Sequence, residues 1–371
     1  MQRMLLTLTL AAGCLLAAAI VRASYLEGDE APAQVRPPVR VIPIPEPPGD
    51  NPLARVVRRL HVRPGYTYDG LTVFQVELAG VEDPADYLSM GEALDRGDLE
   101  VREKGSGSVP YLQVRNRGRR SVLLLAGEIA SGGKQNRVLR GDLLLEARSG
   151  WTELPVLCVE QGRWDGRQEF KGSPSVALLS VRAAAQTGAG QEHVWAEVSR
   201  NAGQLGVASP TQDLQAAQDS PEAREAVGRY RDEFRRHWRR EAVGMVVARW
   251  GRIVGADVFC NADVFLKHRD RLLESYALDC YAWRRSHARI LDGPVVGPDP
   301  GEAERFLRRV LRAGYEEVST PGAGRGVIVR GRDVHGTGLV RGAVLLHAAL
   351  FPREGPVIQP AEPPIRRPLP E

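Results

Sequence analysis

The stretch VGMVVARWGRIVGADVF (Val243–Phe259), running straight into CNADVFLKHRDRLLESYALDCYAWRR (Cys260–Arg285), decides the fold. Met245-Val-Val-Ala248 and the pair Ile253-Val254 with Val258-Phe259 flank Trp250-Gly251, which reads as a hairpin turn. Ala262–Arg285 then carries Phe265, Leu272, Leu273, Tyr276 and Cys280 as one apolar stripe, which predicts a long helix. Asp257 is the odd member of its strand. We expect it to cap that helix or to face a site, with a structural role favoured.

Outward from this core the two halves differ. Upstream, Leu71–Leu78, Tyr111–Val114, Ser121–Ala126, Leu143–Leu145 and Leu154–Val159 read as short strands with short connections, so antiparallel pairing is expected. One interruption, Asp86–Asp95, reads as helical. Closer in, Glu192–Asn201 predicts a short helix, and Ser220-Pro221 opens an arginine-rich one reaching Glu241. Its RYRDEFRRHWRR segment (Arg229–Arg240) is expected to be a solvated helix face. Downstream, Asp299-Pro300 caps a third helix that stops at Gly314, and Val327–Val329 with Ala343–Leu350 return to the sheet. The fold class is therefore α+β: an antiparallel, strand-rich N-terminal half packed with three or more helices from the C-terminal half.

The ends are different material. Arg3 followed by the uncharged run Met4–Val21, with Val21-Arg22-Ala23 before Ser24, reads as a secretory signal over residues 1–23. An uncleaved membrane anchor, and a lipoprotein-like site at Ala11-Ala12-Gly13-Cys14, are the alternatives. Residues 24–52 form a proline-rich linker and 352–371 a proline-rich tail, leaving one domain over 53–351. The expected location is periplasmic or extracellular, with membrane contact only through that first segment.

Of 371 residues, 43% are hydrophobic and 26% charged, which suits a globular chain. A net charge of +4 gives no ground for a nucleic-acid partner. Cys158, Cys260 and Cys280 remain after the signal; we expect buried free thiols, with one disulfide as the alternative. No CxxC, HExxH or GxSxG setting occurs, so no metal, no cofactor and no serine nucleophile are expected. The histidines are scattered, and each is expected at the surface or as a satisfied core residue.

Polar density gathers after two strands. GEIASGGKQNR (Gly127–Arg137) ends a strand at Glu128, turns at Gly132-Gly133 and presents Lys134, Gln135, Asn136 and Arg137. Such a loop can offer backbone amides, an ammonium and a guanidinium to an anion. CVEQGRW (Cys158–Trp164) ends a strand at Glu160, followed by Gln161, Arg163 and Trp164. Glu128 and Glu160 at one mouth would suit acid/base work, Arg163 an anion and Trp164 a stacked ring. Structural ion pairs from Glu160 to Arg163 or Lys134 are the plainer expectation.

These two motifs, VVARWGRIVGADVF (Val246–Phe259) and SYALDC (Ser275–Cys280), in this order, resemble the ARG and Rhodanese-Phosphatase-superfamily-associated protein family, first group. The resemblance spans roughly Gly65–Arg285. It implies genomic company with ADP-ribose metabolism and names no reaction. Ala126 stands where the resemblance leads one to expect an aspartate. Three readings remain open. The first is an exported module binding a small polar or anionic ligand through the two motifs. The second is a hydrolase or transferase for an ADP-ribose-like or other phosphorylated substrate, with Glu128 or Glu160 as acid/base and Lys134 and Arg163 stabilising charge. The third is a structural envelope-interaction domain.

Overall fold

The computed structural model describes residues 50–165, 170, 175–188, 190–287 and 297–353. The signal segment, the linker up to residue 49 and the tail beyond 353 lie outside the described residues. Regular structure starts just inside the expected linker. Asn51 Oδ1 accepts the Ala54 amide at 2.8 Å and Pro52 takes the first helical turn, which opens α1 (Pro52–Arg58).

Strands β1 (Leu60–Val62), β2 (Tyr66–Tyr68) and β3 (Leu71–Leu78) follow. The helix expected over Asp86–Asp95 is shorter: Leu88–Ser89 forms β4, and α2 covers Met90–Asp95. Ser89 Oγ accepts the Glu92 amide while the Glu92 carboxylate accepts the Ser89 amide, a capping box that fixes the start. Then come β5 (Leu99–Ser108), β6 (Tyr111–Asn116), β7 (Val122–Leu124), β8 (Ile129–Ala130), β9 (Arg137–Leu139), β10 (Leu143–Leu145) and β11 (Thr152–Cys158).

Helices α3 (Leu179–Gln186), α4 (Gln191–Leu205), α5 (Leu214–Gln218) and α6 (Pro221–Phe234) lead to the hairpin. Helix α6 starts at the expected Ser220-Pro221 but stops short of Glu241. The Gln75 side chain binds the His237 carbonyl at 2.6 Å and the Arg239 amide at 2.7 Å, which draws the chain out of the helix and onto β3. Strands β12 (Ala242–Arg249) and β13 (Arg252–Phe259) pair across Trp250-Gly251, both at positive φ, as a twist-matched two-residue turn requires. Asn261, not Asp257, caps α7 (Ala262–His287): its Oδ1 accepts the Val264 amide at 2.8 Å. After α8 (Pro300–Arg308), four strands close the chain: β14 (Gly314–Ser319), β15 (Arg325–Arg330), β16 (Val334–Arg341) and β17 (Val344–Pro352).

The fold is α+β. Among the described residues, β1-β3-β12-β13-β17-β16-β15-β14, with β2 on β3, make a nine-stranded antiparallel sheet. A three-stranded sheet, β10-β7-β4, and a five-stranded one, β5-β6-β11-β9-β8, hold the strand-rich half. The large sheet is covered on both faces at its centre. Met245, Val247 and Phe259 pack with Phe265, Leu272 and Tyr276 of α7. Their neighbours Val246, Ala248 and Val258 pack with Val56 of α1 and Phe306 of α8. That is why these strands read as nearly unbroken apolar runs rather than as alternating ones. Cys158, Cys260 and Cys280 are buried free thiols, and burial pushes the last two up to about 12. Among the described residues no helix is long and apolar enough to cross a membrane.

Strand β16 depends on glycine for its approach to β17. A Cβ on Gly338 would stand 2.4 Å from the His347 carbonyl oxygen, a contact that only backbone movement relieves. Gly338→Ala is expected to cost about 1–3 kcal/mol, as overpacking does. An unchanged denaturation midpoint would contradict this close approach.

Candidate functional site

The glycine loop is built by what its amides bind. Gly132 and Gly133 sit at positive φ between β8 and β9, and a Cβ on Gly133 would stand 2.4 Å from the Phe170 ring. The Gly132 amide donates to Asn136 Oδ1 (2.9 Å), that of Lys134 to Glu103 Oε1 (2.8 Å), and that of Asn136 to Glu160 Oε2 (3.1 Å). The expected nest of free amides is therefore occupied by the chain's own acceptors.

Glu160 is buried and receives four donors in all, the Asn136 amide among them. Arg163 Nε and Thr211 Oγ1 donate to Oε1 at 2.9 and 3.0 Å; Arg163 Nη2 and the Asn136 amide donate to Oε2 at 2.7 and 3.1 Å. Burial alone would raise its pKa, but these donors hold the carboxyl below the usual range. With two donors on each oxygen, no lone pair is left for a general base in this conformation. Arg163 also donates to the Gly133 carbonyl at 2.8 Å, so it laces the second motif to the first rather than facing solvent. Asn136 is likewise committed, donating to Asp213 Oδ1 at 2.9 Å. Gln161 is exposed; its carbonyl accepts from Gln135 at 3.4 Å.

Arg137 differs from its neighbours. It is 0% exposed, donates through Nη1 to Gln135 Oε1 at 3.0 Å, and leaves Nε and Nη2 without a partner among the described residues. Trp164, 44% exposed, lies with its ring centroid 5.6 Å from the Arg137 guanidinium and 5.1 Å from Lys134 Nζ. Glu103 on β5, which sequence reading did not single out, is buried with Oε2 unpartnered. Its place in a polar, half-exposed strand gave no signal.

Glu128 is elsewhere. Its carbonyl accepts the Leu139 amide, and Leu139 pairs with Val156. Glu160 lies four residues past Val156 and two strands over, about 16 Å away from strand spacings alone. The two glutamates do not share a mouth, because the sequence carried no register to say which ends of β8 and β11 align. Glu128 Oε2 accepts the Leu125 amide at 2.8 Å, and Oε1 lies 3.8 Å from His268 Nδ1. Burial pushes this carboxyl up to about 7, the effect outweighing the Leu125 amide and Arg271. Burial likewise pushes His268 down to about 3.

Beside this pair runs a buried chain of charges. Asp142 Oδ1 accepts the Ala126 amide at 2.8 Å, which brings a carboxylate to the point where the sequence lacks an aspartate. Asp142 Oδ2 lies 2.7 Å from His347 Nδ1, and His347 Nε2 lies 3.3 Å from Asp257 Oδ1. Asp257 accepts from Arg182 Nη2 at 2.6 Å and from the Tyr276 hydroxyl at 2.8 Å. Burial opposes a charged His347, yet the two carboxylates win and push it up to about 9. The same cations hold Asp257 well below the usual carboxylate range against its own burial. Sequence reading missed His347, Arg182, Asp142 and His268. The one available signal was a charged or polar residue inside an apolar run, as in LLHAAL (Leu345–Leu350) and LLSVRAAA (Leu178–Ala185). Among the described residues, no group of three or more His, Cys, Asp or Glu is arranged to hold a metal ion.

The Glu128 carboxyl makes a pH prediction. Its folded pKa lies above the ordinary 4.5, so its contribution is fully present below pH 4.5 and is lost as pH rises through about 7. The stability of wild type relative to Glu128→Gln should fall by roughly 3 kcal/mol between pH 4.5 and 7.5 and then level off. Chemical denaturation of both proteins across that range checks it. A constant difference would mean that Glu128 does not titrate there.

Neither a curated protein nor a solved structure matches the chain. The family described as the ARG and Rhodanese-Phosphatase-superfamily-associated Protein domain matches residues 59–351, a span that takes in both polar motifs, the charge chain and the large sheet from β1 to all but the last residue of β17. The chain belongs to that family.

Proposed function

We propose that the domain is a binding module for a small anionic ligand bearing a planar ring, with Arg137 as the anchor. One observation carries this reading: a wholly buried guanidinium whose Nε and Nη2 find no acceptor among the described residues. A buried cation with open donors is costly to a fold, and native chains tolerate such a group where something else satisfies it. A phosphate or carboxylate would take both donors, as guanidinium geometry favours. Lys134 adds a second cation, and the exposed Trp164 ring beside both supplies a face for a base or sugar. Because Arg137 is fully buried, a ligand reaches it only after side chains around it, Trp164 among its neighbours, move. The company with ADP-ribose metabolism that the sequence resemblance implies suits such a ligand. If the N-terminal run exports the chain, the ligand is met outside the cytoplasm.

Hydrolysis or group transfer is a second reading. It draws on Glu128, a carboxyl near neutrality, but at 1% exposure that group meets no solvent in this conformation.

Calorimetric titration with ADP-ribose, ADP and inorganic phosphate tests the binding reading. Arg137→Ala should weaken binding by about 2–4 kcal/mol, some thirty- to a thousandfold. Trp164→Ala should weaken the ring-bearing ligands and leave phosphate unchanged. Arg137→Met, an apolar replacement of similar length, should bind none of them and yet raise the melting temperature of the free protein. A less stable Arg137→Met variant with intact binding would reject Arg137 as the anchor.

A further inference from the structure

Arg137 is closed off from solvent, so a ligand needs an opening, and one segment beside it is built to move. Strand β5 runs to Ser108, but its register with β6 passes from Glu103↔Leu112 directly to Ser108↔Tyr111. Lys104, Gly105, Ser106 and Gly107 therefore have no partner opposite them and bulge from the ladder. Gly105 and Gly107 take φ of +62° and +115°, a region that favours glycine. Gly105 and Ser106 are exposed, and the ion pair at the start of the bulge, Lys104 with Glu153, is solvated and of small worth. Backbone without ladder partners opens at low cost.

This bulge borders the site. A Cβ on Gly107 would stand 3.0 Å from Lys134 Cδ and 3.2 Å from Nζ, so the Lys134 side chain lies against the Gly107 backbone. The same Nζ lies 5.1 Å from the centre of the Trp164 ring, and the Arg137 guanidinium lies 5.6 Å from it. At the foot of the bulge, Glu103 Oε1 accepts the Lys134 amide at 2.8 Å, while Oε2 is unpartnered among the described residues. One side-chain bond thus joins the foot of the bulge to the glycine loop.

We infer that Lys104–Gly107 is a strap that lifts to admit the ligand to Arg137, with the Glu103–Lys134 bond as its latch. What enters rests on the binding reading above; the movement itself does not. Lifting breaks that one bond and leaves the β5–β6 pairing from Leu99 to Glu103 formed.

The chain carries its own reporter of this movement. Cys158 stands opposite Arg137 across β11 and β9, and its amide donates to Gln191 Oε1 at 2.8 Å instead of to Arg137, the arrangement that brings facing side chains closest. Burial raises the pKa of this thiol, the Arg137 charge lowers it and that of Glu103 raises it, so the thiol lies within reach of anchor and latch alike. It is buried and free, and a buried thiol reacts only when its surroundings open.

Alkylation of the full-length chain by iodoacetamide, followed thiol by thiol through peptide mapping, tests the strap. Gly107→Ala, which sets a methyl group at positive φ against Lys134, and Glu103→Ala, which removes the latch, should each speed Cys158 labelling by about tenfold or more. Glu103→Gln, which keeps an oxygen for the Lys134 amide, should label as wild type does. Cys260 and Cys280, buried in the core under the large sheet, should keep their wild-type rates throughout. Unchanged Cys158 labelling in either alanine variant would overturn the strap, as would equal acceleration of all three thiols, which marks general loosening. Inorganic phosphate should slow Cys158 labelling in wild type. Faster labelling in both alanine variants with no effect of phosphate would keep the strap and reject Arg137 as the anchor.

Discussion

Asp257 is the point on which the rest of the structure turns. It sits fully buried on β13, and Arg182, Tyr276 and His347 reach it from α3, α7 and β17. Through His347 the chain of charges continues to Asp142, which in turn holds the backbone of the strand-rich half at Ala126. One line of polar contacts thus ties the large sheet, two helices and the smaller sheets. Its charges balance: two carboxylates against a guanidinium and a doubly hydrogen-bonded imidazolium. That balance makes its burial tolerable, because each charge taken from water is met by an opposite one and by directional bonds.

The same logic runs through the loop at Gly132-Gly133, with a different outcome. There the backbone amides, Asn136, Glu160 and Arg163 satisfy one another and lock two motifs together. The closure is nearly complete. What is left over, Arg137 with two open donors, Glu103 with one open oxygen and the Ser131 hydroxyl, stands out against the saturated groups around it.

Much of the architecture could be read from residue pattern. The hairpin at Trp250-Gly251, the long helix after it and the helices opened by Ser220-Pro221 and Asp299-Pro300 follow from local chemistry that tertiary context did not override. Strands β14 and β16 did not show, because GYEEVS and VHGTGLVR mix glycine and charge where propensity expects apolar branched residues. Helix α3 did not show because its first turn is as apolar as a strand. The candidate site was legible as composition and not as geometry. Local sequence gathers Lys134, Gln135, Asn136, Arg137, Glu160 and Arg163, but which of them spend their bonding capacity on each other depends on register between β9 and β11. The charge chain was less legible still, since its members lie far apart in sequence, each alone in an apolar run.

A distinction between saturated and unsaturated polar groups then sorts what this domain holds in its interior. Asp257 and Glu160 have their bonding capacity filled from within the chain, so they can position but have nothing left to offer a ligand. Arg137 has two donors unfilled among the described residues, and the fold bears their cost without a structural return. Charge alone does not mark a site here: among the described residues the charge chain leaves one buried guanidinium donor open, Arg182 Nε, against two at Arg137. The open donors, not the strongest fields, are where a second molecule has something to bind.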